Sequence, residues 1–288
     1  MAATHPVCGP VLLITDLSPR CDRAMDRAAA LAKMHGVPLI ALHVMDTPWL
    51  TKLAQPAWRS LQQDSLVSAQ KRLRTDLSHA DVDLRVLVET GNPVEVIEQV
   101  AKEYQCSLIV SGTARDETLG RLVLGNTVER LARRASMPLL VVRTRAFAPY
   151  AKVMVATDFS DGARQALSVA VTLLGPAKIT LYHAFDQVAG IYQLDEPTIK
   201  EQREALTKKA SEFAHATQGM QGTQLAIAVE HGVPHELVPA YAQANDIELV
   251  VMGTHGATGM IRTAMGSVAE KLLAKVGCDV LIVPQTRH

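Results

Sequence analysis

Short apolar runs alternate with longer amphipathic stretches along the whole of this sequence. The apolar runs are rich in Val, Ile and Leu, a composition typical of strands buried on both faces of a sheet. The predicted strands are Val11–Ile14, Leu39–Val44, Leu84–Val88, Leu108–Val110, Leu139–Val142, Val153–Ala156, Ile179–Tyr182, Leu225–Val229, Leu249–Met252 and Val280–Val283. The predicted helices are Asp22–Met34, Ala57–His79, Val94–Tyr104, Thr127–Arg134, Gly162–Leu174, Thr198–Thr217, His235–Ala244 and Ser267–Ala274. Because strands joined through helices run parallel, the pattern predicts an α/β fold with doubly wound parallel sheets.

The second half of the chain repeats the first. Four separated blocks recur in the same order at an offset of 141 or 142 residues, which indicates a duplication. The blocks Thr15–Ser18, Val88–Pro93, Ser111–Thr113 and Leu124–Asn126 match Thr157–Ser160, Val229–Pro234, Met252–Thr254 and Met265–Ser267. We therefore predict two tandem domains, residues 1–146 and 147–288, each with a five-stranded parallel sheet. The segment 144–151 contains a proline and no clear period, so we place the linker there.

Charge and aromatic content argue against two classes of partner. Lys+Arg and Asp+Glu number 29 each, so no net field attracts the chain to nucleic acid or to an anionic membrane. Aromatic residues make up only 4%, which leaves few platforms on which bases could stack. We expect neither a nucleic-acid partner nor a membrane partner.

The N-terminus and the cysteines suggest a compartment. Residues 1–10 lack the basic and apolar regions of a signal peptide, and the apolar runs are too short to cross a bilayer. The four cysteines are scattered without a Cys-x-x-Cys pair, as expected of reduced thiols. The sequence therefore predicts a cytoplasmic protein.

A glycine-rich segment follows the fourth predicted strand of the second half. Gly253, Gly256 and Gly266 stand in the spacing G-x2-G-x9-G-S, and Ser267 begins a predicted helix. Open parallel sheets bind ligands at the carboxyl ends of their strands, and glycines allow an anion to approach the backbone amides closely. The helix start adds further N–H groups and a positive dipole end. The spacing is neither a Walker A loop nor a dinucleotide-binding G-x-G-x-x-G motif, yet it predicts a phosphate site.

This spacing resembles that of the universal stress protein family, whose ATP-binding members carry G-x2-G-x9-G-S/T. The Thr-Asp-(Leu/Phe)-Ser block after the first strand of each half and the Leu-His-Val block of the second strand add to the resemblance, which covers both repeats. It implies two Rossmann-like domains of the tandem form. It also implies a stress-response or signalling module that binds ATP or another adenine nucleotide without strong catalysis.

The resemblance further implies which residues would form the site. The aspartate after the first strand and the residue closing the second strand would hold the nucleoside, and the glycine loop would hold the phosphates. In the second half these residues are Thr157, Asp158, Ala184, Gly253, His255, Gly256, Gly266, Ser267 and Val268. An Mg²⁺ or Mn²⁺ ion would bind through phosphate oxygens, since no carboxylate cluster marks a protein-built metal site.

The first half departs from this pattern. The implied residues there are Asp16, Val44, Gly112, Arg115, Gly125 and Asn126. Arg115 stands in place of the second glycine, and Asn126 replaces the serine. The Arg115 guanidinium would either take over phosphate charge or block the site. We therefore expect the nucleotide mainly in the second domain.

Two other functions stay open at this point. No general base or water-positioning residue is identified, so no catalytic residue is assigned, but a slow ATPase is compatible with the sequence. A nucleotide-free, partner-binding protein would keep the glycines for turn geometry alone. The resemblance also implies pairing of the two domains through their last strands, Leu139–Val142 and Val280–Val283, and leaves a homodimer open.

The histidines and two glutamates receive structural interpretations. No H-x3-H or H-E-x-x-H pattern occurs, so a zinc site is disfavoured. His43 and His183, which close the second strand of each half, are expected near the cleft, donating to a backbone carbonyl. Glu89 and Glu230 precede Gly-x-Pro turns, which favours turn or cap pairing for both.

Overall fold

The structure of the protein is a computed structural model, and it describes most of the chain. The described residues are 9–18, 21–45, 57–116, 121–123, 125–134, 136–174, 177–186, 195–217, 220, 223–254 and 265–285, with the backbone alone at 57–63, 65, 114–116 and 121–123. The chain divides into two compact units, Met1–Leu131 with Leu139–Phe147 and Ala132–Pro138 with Ala148–His288. None of the described helices is long and apolar enough to cross a membrane.

The first unit is built on a parallel sheet. Its described strands are β1 (Val11–Thr15), β2 (Leu39–Met45), β3 (Leu84–Thr90), β4 (Leu108–Gly112), the short β5 (Ala114–Asp116) and β6 (Arg121–Val123), and β7 (Leu139–Val142). Its described helices are α1 (Asp22–His35), α2 (Ala57–Asp76), α3 (Pro93–Glu103) and α4 (Asn126–Arg134). The sheet order is β7-β4-β1-β2-β3, and every pair in it is parallel. Strands β5 and β6 form a separate antiparallel hairpin.

The second unit repeats this arrangement. Its described strands are β8 (Lys152–Ala156), β9 (Lys178–Phe185), β10 (Gln224–His231), β11 (Leu249–Gly253) and β12 (Asp279–Val283). Its described helices are α5 (Asp161–Leu174), α6 (Glu196–His215), α7 (Pro234–Ala244) and α8 (Ser267–Lys275). The sheet order is β10-β9-β8-β11-β12, again with parallel pairs. Each predicted strand and helix is therefore confirmed, with ends that differ by a few residues.

Apolar strands explain where the core lies. In β1, Val11, Leu12 and Leu13 are fully buried, and β4 beside it and β7 beside β4 are buried almost throughout. Helix α1 contacts this sheet mainly through small residues such as Ala24 and Ala28, so its backbone can approach closely. The chain thus covers both faces of a central strand, as the continuous apolar runs predict.

The strand order reverses beside the first strand of each unit. In the first unit, β2 and β4 lie on opposite sides of β1. In the second unit, β9 and β11 lie on opposite sides of β8. Crevices that bind ligands open at such switch points, outside the carboxyl ends of the strands. The segments that follow β1, β4, β8 and β11 are therefore the place to look for a site.

The hairpin β5–β6 is the element that the sequence prediction lacks. It lies between β4 and α4, where the first half departs from the glycine spacing. Arg115 pairs with Leu122 in its antiparallel register. Extended backbone is open to any residue, so this position does not need the glycine that the spacing would place there. The first unit thus replaces a glycine loop with paired strands.

The predicted linker contains part of the second unit's core. Tyr150 is only 5% exposed, and its hydroxyl donates a hydrogen bond of 2.6 Å to Oδ2 of the fully buried Asp279. The segment 144–151 is therefore not a free spacer along its whole length. Among the described residues, Cys21, Cys106 and Cys278 form no disulfide bond, and burial raises the pKa of Cys106 to about 11.

Candidate functional site

A tight turn follows the first strand of the second unit. The Phe159 N–H donates to Oγ1 of Thr157 at 2.9 Å, and the Ser160 N–H donates to Oδ1 of Asp158 at 3.0 Å. Phe159 has a φ of +65°, a left-handed conformation that is uncommon outside glycine. The Ser160 hydroxyl accepts from the Ala163 N–H at 3.2 Å and so caps the start of α5, as Ser, Thr and Asp residues commonly do.

The first unit contains the same turn. The Leu17 N–H donates to Oγ1 of Thr15 at 3.0 Å, the Ser18 N–H donates to Oδ1 of Asp16 at 2.8 Å, and Leu17 has a φ of +64°. The Cys21 thiol donates to the same Asp16 oxygen at 3.1 Å. Burial tends to raise the pKa of Asp16, but the hydrogen bonds from Ser18 and Cys21 hold it below its usual value. Both units thus keep a strained backbone at the same point, which is typical of functional sites.

A histidine from the second strand fixes each turn. The His183 Nδ1–H donates to the Thr157 carbonyl oxygen at 2.7 Å, and His43 makes the equivalent bond to Thr15 at 2.9 Å. The predicted role of both histidines, donation to a backbone carbonyl near the cleft, is confirmed. Burial lowers the pKa of His183, so the neutral ring is favoured in the folded protein.

This burial predicts a pH dependence. The ordinary pKa is 6.5, and the folded protein holds the pKa of His183 lower, so below pH 6.5 the unfolded chain binds more protons than the folded one. Stability of the second unit should therefore fall as the pH drops from 6.5 toward the folded pKa. Thermal unfolding at several pH values between roughly 5 and 7.5 checks this, with His183→Asn expected to flatten the dependence. Equal slopes for wild type and variant would contradict it.

An aromatic and cationic cluster packs on the turn of the second unit. The Phe159 ring lies 4.4 Å from the His183 ring and 5.7 Å from the ring of Phe213 in α6. The Lys209 Nζ lies 4.7 Å from the centre of the Phe159 ring, and the Arg164 guanidinium lies 4.5 Å from that of Phe213. Such contacts stabilise the positive φ of Phe159. The first unit has the aliphatic Leu17 at this position.

Strand register brings the two predicted nucleoside residues of each unit together. Thr15 pairs with His43, so Asp16 and Val44 are adjacent one step further along. In the second unit Asp158 and Ala184 each lie two residues beyond the last paired residues of β8 and β9, Ala156 and Tyr182. Adjacent positions on parallel strands lie about 4.8 Å apart, so one ligand can contact both.

A cavity of about 210 Å³ opens at this point of the first unit. Asp16, Val44, Gly112 and Gly125, all predicted as site residues, line it. Further lining comes from the Cys21 thiol, from Leu42 and from the first turns of α3 and α4. The structure thus assembles most of the predicted first-half residues around one space. Asn126 is the first residue of α4, and Arg115 lies in β5 with only its backbone described.

In the second unit, two helix starts adjoin the end of β11. A Cβ added to Gly253 would lie 3.1 Å from the carbonyl carbon of Gly162 in the first turn of α5, so this close approach of two backbones favours glycine. The Gly266 N–H donates to the Thr254 carbonyl at 2.8 Å, which joins the two ends of the glycine-rich segment. Helix α8 begins at the next residue, Ser267. The predicted residues His255 and Gly256 lie outside the described residues.

The first turn of α8 is available to a ligand. Ser267 and Val268 are exposed, Val268 at 43%. The first N–H groups of any helix have no partner within it, and they carry the positive end of its dipole. Together with the turn at Asp158, this gives the second unit a carboxylate and an exposed helix start at one edge of its sheet.

A hydrogen bond between the buried Tyr182 and the half-buried Glu230 was not predicted. The Tyr182 hydroxyl donates to Oε2 of Glu230 at 2.7 Å, so Glu230 is paired with a side chain of the neighbouring strand. This replaces the turn or cap pairing predicted for Glu230. The only sequence signal was a tyrosine within an otherwise apolar strand. Among the described residues, no group of three or more His, Cys, Asp or Glu side chains could hold a metal ion.

Comparison with known proteins identifies the family. The sequence model described as "Universal stress protein family" matches residues 9–143 and 149–284. A universal stress protein of Mycobacterium tuberculosis is 27% identical over 293 residues, covering 96% of this chain and 97% of that relative. Another, of Methanocaldococcus jannaschii, is 27% identical over 147 residues, covering 48% of this chain and 84% of that relative.

A solved structure shows the same fold over the whole chain. The crystal structure of a universal stress protein from Archaeoglobus fulgidus covers 98% of this chain and 99% of its own, with a TM-score of 0.72 and 18% identity. With both repeats matched, the chain belongs to the universal stress protein family, in its tandem form.

Proposed function

We propose that this chain is a stress-response or signalling module that binds ATP or another adenine nucleotide, mainly in its second unit, without strong catalysis. One observation carries the proposal. At the carboxyl edge of the second sheet, the Gly266–Thr254 hydrogen bond sets the start of α8 at the end of β11, next to the strand that leads into the Asp158 turn. The helix start proposed to bind the phosphates and the turn proposed to bind the nucleoside thus follow neighbouring strands at the same edge of the sheet.

The nucleoside end rests on Asp158 and Ala184. Each lies two residues beyond the last pair of β8 and β9, Ala156–Tyr182, and the turn that carries Asp158 is fixed by His183 through the Thr157 carbonyl. A carboxylate in this position accepts hydrogen bonds from ligand N–H or O–H groups. The methyl group of Ala184 leaves space for a ring to lie against the sheet.

The phosphate end rests on the start of α8. Backbone N–H groups of Ser267 and Val268 and the Ser267 hydroxyl would donate to phosphate oxygens, as helix starts do in other nucleotide sites. Gly266 carries no side chain that would stand between them and the anion. An accompanying Mg²⁺ or Mn²⁺ ion would be held by the phosphates, since its preferred oxygen ligands are present there.

The first unit supports weaker binding. Its cavity of about 210 Å³ is smaller than the roughly 300–1,000 Å³ typical of pockets that bury a whole drug-sized ligand. The hairpin β5–β6 stands where the second unit has its glycine spacing, so fewer free amides face an anion. This asymmetry supports a competent second site and an altered first one. The domain limits 1–146 and 147–288, the pairing through the last strands, a homodimer and the cytoplasmic location stay predictions from the sequence.

Calorimetric titration of ATP into the full chain, with native mass spectrometry for stoichiometry, tests the proposal. We expect about one nucleotide per chain. Asp158→Ala and Ser267→Ala should each weaken binding roughly 10- to 100-fold, because each removes a hydrogen bond involving a charged group. The matched changes Asp16→Ala and Asn126→Ala should have much smaller effects.

Two results would contradict parts of the proposal, and a third would add a slow hydrolysis to it. Absence of both copurified nucleotide and binding heat would favour a nucleotide-free, partner-binding protein. Two equal sites per chain would refute the preference for the second unit. Phosphate release by the wild type that Ser267→Ala abolishes would establish the slow ATPase, whereas release that persists in this variant points to a contaminant.

A further inference from the structure

Tyr182 and Glu230 form a fixed polar pair within an apolar part of the second unit. The Tyr182 side chain is 1% exposed, and its ring lies 4.7 Å from the ring of Tyr241 in α7. Its hydroxyl donates to Glu230 Oε2 at 2.7 Å. Burial, with the neighbouring Glu230, raises the pKa of Tyr182, so the phenol keeps the proton that it donates. The pair therefore holds the Glu230 carboxylate in one orientation.

The internal repeat places this pair at the candidate site. In the first unit, Leu42 and Val44 of β2 line the cavity together with Pro93 and Ile97 of α3. The strand positions of Leu42 and Val44 correspond to Tyr182 and Ala184 in the second unit, since His43 corresponds to His183. The contact between Tyr182 and α7, the counterpart of α3, shows that β9 presents the same face.

Glu230 lies on this face as well. It pairs with Ala184 in the parallel register of β9 and β10, and paired residues of neighbouring strands point to the same side of a sheet. A row of three positions thus crosses the carboxyl edge from Asp158 through Ala184 to Glu230. The first unit has Glu89 in register with Val44, but Leu42 offers it no hydrogen-bond donor.

The position of Glu230 along this row indicates which part of a nucleotide it meets. In the order β11, β8, β9, β10, its strand is three strands away from β11, where the phosphates are proposed to bind. Three strand spacings amount to about 14 Å. The ribose of a nucleotide lies between the phosphates and the base, so the end farthest from β11 is the base edge.

We propose that Glu230, held by Tyr182, selects a purine that presents an amino group at its six-position, hence adenine, over one that presents a carbonyl oxygen there. The inference rests on the proposed nucleotide binding by the second unit. A carboxylate accepts hydrogen bonds and donates none, so it matches the amino group of adenine. The carbonyl oxygen of hypoxanthine or guanine would place two acceptors face to face, and a site built for a donor rejects such a ligand strongly.

Calorimetric affinities of ATP, ITP and 2′-deoxyATP for the full chain test this selection. The wild type should bind ATP at least about 10-fold more tightly than ITP. Glu230→Gln should reduce this preference to about 2-fold or less, because an amide can donate to the carbonyl oxygen as well as accept from the amino group. Tyr182→Phe should reduce it in part, by releasing the carboxylate. The matched variant Glu89→Gln should leave the ratio unchanged.

Each alternative result is decisive. An unchanged ratio of ATP to ITP affinity in Glu230→Gln would overturn the assignment. Loss of the preference for ATP over 2′-deoxyATP in the same variant would also overturn it, because the carboxylate would then contact the sugar. A wild type that binds none of the three nucleotides would instead refute the proposed function itself. Should Tyr182→Phe fail to fold, the ratio measured for the half-buried Glu230→Gln still tests the assignment.

Discussion

Replacement of Gly9 by alanine is expected to destabilise the first unit by about 3 kcal/mol, near the upper end of the range for overpacking. An added Cβ would lie 2.1 Å from the Gln105 carbonyl oxygen and 3.2 Å from its carbonyl carbon. Both atoms belong to the backbone, so no side-chain rotation can relieve the overlap. Gln105 itself has a φ of +52°, which leaves it little freedom to move.

Hydrogen bonds on both sides oppose relaxation at this point. The Ser107 hydroxyl donates to the Gly9 carbonyl at 2.8 Å, and the Ser107 N–H donates to the Pro10 carbonyl at 3.0 Å. The Cys106 N–H is bonded to the Ala101 carbonyl at 2.9 Å. A shift that made room for the methyl group would break one or more of these bonds, which connect the entry of β1 to the end of α3.

Urea denaturation of the full chain, followed by circular dichroism, measures the effect. Gly277→Ala is the matched control, because a Cβ at Gly277 meets nothing within 4 Å. Its free energy of unfolding should stay within about 0.5 kcal/mol of the wild type. If Gly9→Ala and Gly277→Ala have the same free energy of unfolding, the overlap with Gln105 does not destabilise the protein and the prediction is wrong.

Much of the fold could be predicted because the strands are continuous apolar runs, which indicate burial on both faces. Runs such as Val11–Ile14 and Leu249–Met252 have apolar side chains on both faces, and the structure buries them completely in parallel sheets. The duplication then supplied an internal check, since each element had a counterpart about 141 residues away. The position of the candidate site could be predicted from the topology, because the carboxyl ends of β8 and β11 meet at the switch point.

The hairpin β5–β6 could not be predicted on the same grounds. Its strands have three residues each, too few to show an alternating pattern, and Arg115 and Asp116 are polar. Short strands of this kind are specified by pairing across the hairpin, which a linear pattern does not reveal. The sequence predicted that this segment departs from the glycine spacing at Arg115, but not that it forms paired strands.

The polar pairs were missed for a related reason. Tyr182 donates to Glu230 from the neighbouring strand, and Tyr150 donates to Asp279 across 129 residues of sequence. Neither pair has a recognisable spacing in the sequence, since Tyr182–Glu230 depends on the pairing of β9 with β10 and Tyr150–Asp279 on tertiary packing. Tertiary contacts therefore decide the interpretation of residues that local pattern assigns to a turn or to a linker.

The second large effect is expected from Tyr150→Phe, which should destabilise the second unit by about 2 kcal/mol. Asp279 is fully buried at the start of β12, and its Oδ2 accepts a hydrogen bond of 2.6 Å from Tyr150. Removing the hydroxyl takes this donor away from a buried carboxylate oxygen, and a hydrogen bond to a carboxylate contributes more than one between neutral groups. The phenylalanine ring itself fills the same space, so lost packing contributes little.

Two variants test whether the loss of stability comes from the missing hydrogen bond to Asp279 or from the removal of a tyrosine hydroxyl in general. Tyr104→Phe removes a half-buried hydroxyl that bonds to no other described residue, so its unfolding midpoint in urea should stay close to that of the wild type. In the double variant Tyr150→Phe with Asp279→Leu, the carboxylate is replaced by an apolar group of similar volume, which should restore part of the stability lost in the single variant. Equal midpoints for Tyr150→Phe and Tyr104→Phe would show that the buried carboxylate does not depend on Tyr150. A double variant less stable than Tyr150→Phe would show instead that Asp279 stabilises the entry of β12 chiefly through its other contacts.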